Sequence, residues 1–296
     1  MRSRYLNFAV IALLTMVSLA ALGQNARRYQ DHGSFEAFSL STSHDSSLGW
    51  TTGLDTAIGY DFNRAFTVDA GVPLYLVSAS TTTASGTGTT TQTTNYNSLG
   101  DIYVGLSLHP KFDSFAFTAG LVGTAPTGSR TNGISTGRAT AALSGRVEKD
   151  FDRFTPFVEG TFGNSLGNTK RFHRPFTTLG TVSTFTGGMS FDLTKKISFE
   201  ASAYDVLPFG DQKVYSHNGK QANASRGRSF EQAAVTSGSA SLTKDHGFSG
   251  QFGFSPMKRV EVDAGYTRSM GYVLDTYSAG VSFRLGHIVA DKGEKQ

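Results

Sequence analysis

The chain contains no cysteine, one tryptophan and seven prolines, and only 17% of its 296 residues are charged. Without cysteine there is no disulfide scaffold, thiolate zinc site, thiol nucleophile or lipid-modified cysteine anchor. A net charge of +4 spread thinly along the chain lacks the dense Lys/Arg patch of a nucleic-acid protein, so no nucleic-acid partner is expected. Long apolar runs are also missing, with one exception at the start. Phe8 to Leu22 follows Arg2 and Arg4 and ends in Ala21-Leu22-Gly23. That run is shorter than the roughly 20 residues a helical span needs. Its basic, apolar and small-residue sections read as a secretory signal peptide cleaved before Gln24. No later stretch resembles a transmembrane helix, so residence in a membrane would have to rest on strands.

What is present is a two-residue alternation, the mark of strands with one apolar face. Leu54, Ile58 and Tyr60 share one parity, and Phe66, Val68, Ala70, Val72, Leu74 and Leu76 continue it in the next segment. The same pattern recurs at Ile102–Leu108, Phe115–Leu121, Ala141–Val147, Val158–Phe162, Phe185–Leu193, Ile197–Ala203, Phe248–Phe254, Val260–Tyr266 and Tyr277–Leu285. With a first, weakly patterned segment from Phe35 to Ser41, the sequence predicts twelve strands, with ten as the alternative count. The other parity is Gly, Ser, Thr and charge.

Connection lengths alternate as well. Asp61–Arg64, Pro110–Ser114, Asp150–Arg153, Thr194–Lys196 and Ser255–Lys258 are short, whereas 79–97, 126–138, 164–175 and 209–244 are long. Short turns at one end and long loops at the other are the rule for transmembrane barrels. A soluble β-sandwich is the alternative, but its strands average about 5–6 residues and its loops need not alternate. The expected fold is therefore all-β: a single transmembrane antiparallel up-and-down β-barrel over residues 34–286, after a cleaved signal peptide. Residues 24–33 form a periplasmic N-terminal segment and 287–296 a periplasmic tail. The expected location is the cell outer membrane, and the barrel assembly machinery is an expected partner. His287 to Gln296 follow the last strand in place of a terminal aromatic, and Phe283 is the expected internal candidate for the assembly signal.

Residues 98–109, Ser-Leu-Gly-Asp-Ile-Tyr-Val-Gly-Leu-Ser-Leu-His, precede an apolar strand that ends in Ala125-Pro126-Thr127-Gly128. This order resembles the outer-membrane barrel family named for the meta-cleavage pathway of phenol degradation, over about residues 48–285. The resemblance implies an outer-membrane protein connected with uptake of aromatic or other hydrophobic compounds.

If the apolar parity faces lipid, Asp55, Asp69, Asp101, Glu148, Glu159, Glu200, Glu261 and Asp263 point into the lumen, joined by Arg146 and Arg284. Such a lining has a negative field that favours cations or dipolar solutes over anions. Interior pairing is expected between Arg284 and Glu261 or Asp263, and between Arg146 and Glu148 or Glu159, leaving Asp55 and Asp69 as the unpaired acids. The accompanying Gly, Ser and Thr residues fill little of the bore. The long loops carry the opposite sign. Arg130, Arg138, Lys170, Arg171, Arg174, Arg226 and Arg228 form a basic crown suited to the phosphates of lipopolysaccharide, or are simply solvated.

The expected function is passive passage of small molecules through a narrow, acid-lined lumen gated by the loops near 79–97 and 209–244. The lumen points to polar or cationic solutes and the resemblance to hydrophobic ones. A non-conducting structural or adhesive barrel is the alternative. An outer-membrane hydrolase is the third reading, through a loop cluster of His44, His173, His217 and His246, but there is no Gly-x-Ser-x-Gly elbow. Neither cofactor nor metal is expected.

Overall fold

The computed structural model describes residues 33–45, 49–63, 65–85, 88–110, 112, 115–166, 174, 176–216 and 235–286, without the side chains of 79–92, 94 and 216. The expected signal peptide and C-terminal tail lie outside them. Twelve wall positions close into an antiparallel barrel, as the alternation predicts. They are β1 (Gly33–Asp45), β2 (Gly49–Asn63), β3 (Phe66–Ser85), then β4 (Gly88–Leu99) and β5 (Ile102–Leu108) sharing one position, then β6 (Phe115–Ala125), β7 (Thr140–Lys149) and β8 (Phe154–Gly163). After the short β9 (Phe176–Leu179) come β10 (Val182–Asp192) and β11 (Ile197–Pro208). Beyond the short β12 (Gln212–Ser216) and β13 (Val235–Gly238), the wall ends with β14 (Asp245–Met257), β15 (Val260–Ser269) and β16 (Leu274–Gly286). β16 pairs with β1 from Phe35↔Gly286 to Asp45↔Thr276, which shuts the ring. Closure removes the free edges that hydrocarbon would not tolerate.

Period two becomes geometry directly. On β2, Trp50, Ile58, Tyr60 and Phe62 are exposed on the outer wall, while Ala57 and Asp61 are buried on the inner one. On β14 to β16, Phe252, Phe254, Val262 and Tyr277 face out, and Ser249, Asp263, Thr276 and Ser282 face in. The molecule is thus apolar outside and polar inside, the reverse of a soluble barrel. Most wall strands are 10 to 15 residues long, enough for the roughly 9–11 that cross a bilayer when tilted.

Two features differ from expectation at the long-loop end. Residues 79–97 are not a loop: β3 runs on to Ser85 and pairs with β4 from Leu74↔Leu99 to Ser85↔Gly88. The Thr/Ser/Gly tract has no apolar parity to betray a strand, but threonine fits a pleated surface well. The segment 209–244 contributes β12 and β13, which join β9 in a separate three-stranded sheet. Phe176 and Val214 of that sheet bury against Tyr272 of the β15–β16 turn and Leu274 of β16, with Leu242 at the margin. A second cluster sets Leu166 among Val182, Tyr204 and Val206. Val182, Tyr204, Val206 and Leu274 carry the inward parity, so both clusters roof the mouth on the β10–β16 side.

Candidate functional site

The lumen is crossed by two arginines. β16 lies six strands from β7 in either direction around the ring, so Arg284 and Arg146 arise from opposite walls. Each lies over a phenylalanine of the following wall strand: Arg146 over Phe157 of β8 and Arg284 over Phe35 of β1, both 3.7 Å from the ring centroid. A cation over a desolvated ring face gains about 2 kcal/mol, and the ring also fixes where the guanidinium stands.

Carboxylates complete each cluster. Arg146 is 2.9 Å from Glu148, 3.7 Å from Glu159 and 3.6 Å from Glu200. Glu148 and Glu159 are the partners its sequence position predicts. Glu200 is not, because it stands on β11, three wall positions away, and is reached only by a long side chain crossing part of the bore. Arg284 departs from prediction. It pairs with Asp61 at the end of β2, two wall positions distant, rather than with Glu261 or Asp263 on the adjacent β15. Asp61 is fully buried and also accepts from Thr67 Oγ1 at 2.7 Å. Asp263 instead accepts from Gln251 Nε2 at 3.1 Å.

Asp55 is not the unpaired acid that its sequence position suggests. The Tyr103 hydroxyl lies 3.3 and 3.4 Å from its two oxygens and donates to it. Asp69 lies against Gly105, where a Cβ would stand 2.5 Å from its Oδ1. Asp101 also falls elsewhere. It occupies the break between β4 and β5 and accepts from Gly128 N–H at 2.9 Å, a contact that belongs to the rim. Thr127 completes this clasp, its Oγ1 accepting from Ile102 N–H at 2.9 Å and donating to Gly100 O at 3.1 Å. The glycine-based motifs at 98–102 and 125–128 are therefore one structural joint.

Aromatic side chains are what the inner parity was expected to lack. Phe35, Tyr75, Tyr103, Phe157 and Tyr204 point inward and occupy space above glycines. A Cβ at Gly59 would collide with the Phe35 ring, one at Gly188 would stand 2.7 Å from Phe157 Cζ, and one at Gly71 would stand 2.6 Å from the Tyr103 hydroxyl. The small residues are sockets rather than empty bore. Each of these glycines is the register partner of its aromatic on the neighbouring wall strand, a pairing that leaves no signal within one strand, which is why the sequence pattern missed them.

The basic crown is rearranged as well. Arg174 lies 5.8 Å over the ring of the inward Tyr204, so it covers the mouth rather than facing outward. Arg130 lies 5.9 Å over the buried Tyr215 of the roof sheet, and Arg138 stays exposed. Lys170, Arg171, Arg226 and Arg228 are outside the described residues. Of the expected histidine cluster, only His44 and His246 lie among the described residues. His44 and His246 are on β1 and β14, not in loops, and His44 packs on the outer wall against Trp50 at 4.7 Å between ring centroids. His173 and His217 are outside the described residues.

No protein-family model and no curated protein matches the chain. Among solved structures it is similar to the COG4313 outer-membrane channel from Pseudomonas putida F1, with a TM-score of 0.56 at 9% identity over 90% of this chain and 100% of that one. The NanC porin gives 0.48 at 9% identity over 84% and 100%, and the KdgM porin 0.46 at 11% over 83% and 98%. The first of these likenesses, with the apolar exterior and closed ring, makes the fold an outer-membrane barrel, and the outer membrane is where this chain resides.

Proposed function

We propose that the barrel passes small cationic or dipolar solutes passively through an off-centre, acid-lined path. The observation that carries this is the inward charge inventory. Among the described wall residues, the inward acids Asp55, Asp61, Asp69, Glu148, Glu159, Glu200, Glu261 and Asp263 outnumber the inward arginines Arg146 and Arg284, and both arginines are engaged by carboxylates. A low-dielectric wall around a net negative interior focuses that field along the lumen. The roof clusters lie on the β10–β16 side, so the path runs down the wall of β2, β3 and β5, past Asp55 and Asp69. In this role the protein is a channel and not an enzyme. The glycine motifs that resemble the phenol meta-cleavage family would add aromatic compounds to the solute range, and the inward Tyr75 and Tyr103 suit such rings.

Single-channel recording of the refolded protein in a planar bilayer tests the reading. Cation-selective steps that lose selectivity in the Asp55→Asn/Asp69→Asn double variant support it, and a folded barrel without current overturns it. The apolar packing of Phe176, Val214, Tyr272 and Leu274 favours a second reading, a closed structural barrel whose exposed loop cations such as Arg138 meet lipopolysaccharide.

A further inference from the structure

A groove of about 680 Å³ opens on the outer wall near the short-turn rim, where β16, β1, β2 and β3 run side by side. Its walls are large outward residues, Ile58 at 67% exposure, Tyr60, Val68 and Leu285, and its recess forms where the outward positions carry only Ser34 and Ala70. Two charged residues line it, Asp69, whose side chain carries the inward parity, and Glu36, whose side chain faces out. Glu36 is exposed on β1, paired in register with Ile58 on one side and Leu285 on the other. Among the described residues it has no hydrogen bond or ion pair, whereas Arg268 and Asp275, also on the outer wall, are joined to each other. Glu36 is three residues from the start of β1 and Leu285 one residue from the end of β16. That is the level where acyl chains give way to headgroups. Beside it, Arg259 reaches over the rim to donate from Nη2 to Gly286 O at 3.2 Å, and Gly286 itself lines the groove.

A negative charge, a positive charge at the same rim and an apolar recess beside them match a zwitterion with a hydrocarbon tail. We propose that this groove seats one inner-leaflet phospholipid whose headgroup is a primary ammonium, as in phosphatidylethanolamine. The ammonium donates to the Glu36 carboxylate, the phosphate faces Arg259, and an acyl chain lies along Ile58, Val68 and Leu285. A carboxylate on the lipid face is tolerated near the interface and disfavoured deeper, so this depth leaves the ion pair for a headgroup to complete. A quaternary ammonium has no N–H to donate, and an anionic glycerol headgroup repels Glu36, so the site discriminates by headgroup. The inference is independent of whether the lumen conducts.

The test is native mass spectrometry of the full-length folded barrel, delipidated and then equilibrated with mixed vesicles of equal phosphatidylethanolamine, phosphatidylcholine and phosphatidylglycerol. The expected result is one retained phosphatidylethanolamine, preferred about tenfold, which corresponds to 1.4 kcal/mol. Glu36→Gln removes the preference but not the barrel, as heat-modifiable migration on gels will verify. Ala70→Leu fills the recess without touching charge and lowers retention of all three lipids. Equal retention of the three by the unmodified protein overturns the proposal. So does a preference that survives both substitutions, or a dimer in the spectrum that excludes lipid from this face.

Discussion

The cost of removing one inward charge is set by how many opposite charges it leaves behind. Arg146 is 8% exposed, and three carboxylates converge on it. Breaking a buried pair by deleting one partner costs about 3–5 kcal/mol, since the survivors remain desolvated and repel each other. Arg146→Met should therefore lower barrel stability by about 3 kcal/mol in urea titrations, and Glu148→Gln by far less. The glycine sockets give the opposite test, by addition. A Cβ at Gly59 meets both the Phe35 ring and Val68 O, the latter at 2.7 Å, so Gly59→Ala should cost roughly 1–3 kcal/mol through overpacking. Removing the ring in Phe35→Ala/Gly59→Ala should recover only part of that, because the backbone oxygen stays where it is. At this scale the sequence was legible in parity and illegible in partners. Asp55, Arg146 and Arg284 face inward because their neighbours alternate. Which group they meet depends on strands such as β5 and β11, far away in sequence.

Between strands, the clasp at the mouth joins two segments that the sequence motifs only mark. Thr127 holds Ile102 N–H and Gly100 O, and Asp101 holds Gly128 N–H. Thr127→Val keeps the shape and removes both hydroxyl bonds, so the Ile102 amide should exchange with solvent faster, at a cost of roughly 1–2 kcal/mol. At the opposite rim His109, just past β5, lies 3.4 Å from Thr118 Oγ1. Burial holds its imidazole below the ordinary 6.5, with Asp61 opposing that shift and Arg284 adding to it. The folded state thus favours the neutral ring. Its contribution is complete above about pH 6.5 and is lost as pH falls through the lowered folded value. His109→Gln should flatten the acid side of the stability profile, which melting curves between pH 7 and 5 will measure. The twelve wall strands could be read because lipid and water impose a contrast every second residue. The β3–β4 hairpin and the β9–β12–β13 sheet could not, since neither faces that contrast.

For the whole molecule, the roof decides how much of the bore is usable. Phe176→Ala with Tyr272→Ala removes the centre of the packing between the small sheet and the wall. Conductance of this variant should rise and become noisier relative to the unmodified barrel, and an unchanged trace would mean the roof does not obstruct the path. The seam between β1 and β16 has a different kind of consequence. There Thr276 donates to Asp45 at 3.1 Å across 231 residues of sequence. Bringing such distant ends together costs roughly 2.4 kcal/mol more than closing a 15-residue hairpin, at about 0.6 kcal/mol per doubling of loop length. Contacts this remote slow folding, because their entropy is lost before any of their bonds form. Until the seam shuts, two strand edges carry unsatisfied amides in hydrocarbon, each costing several kcal/mol. Closure is therefore the last and most cooperative event in the life of the chain. A barrel halted one strand short is a strongly uphill intermediate rather than a smaller version of the native protein.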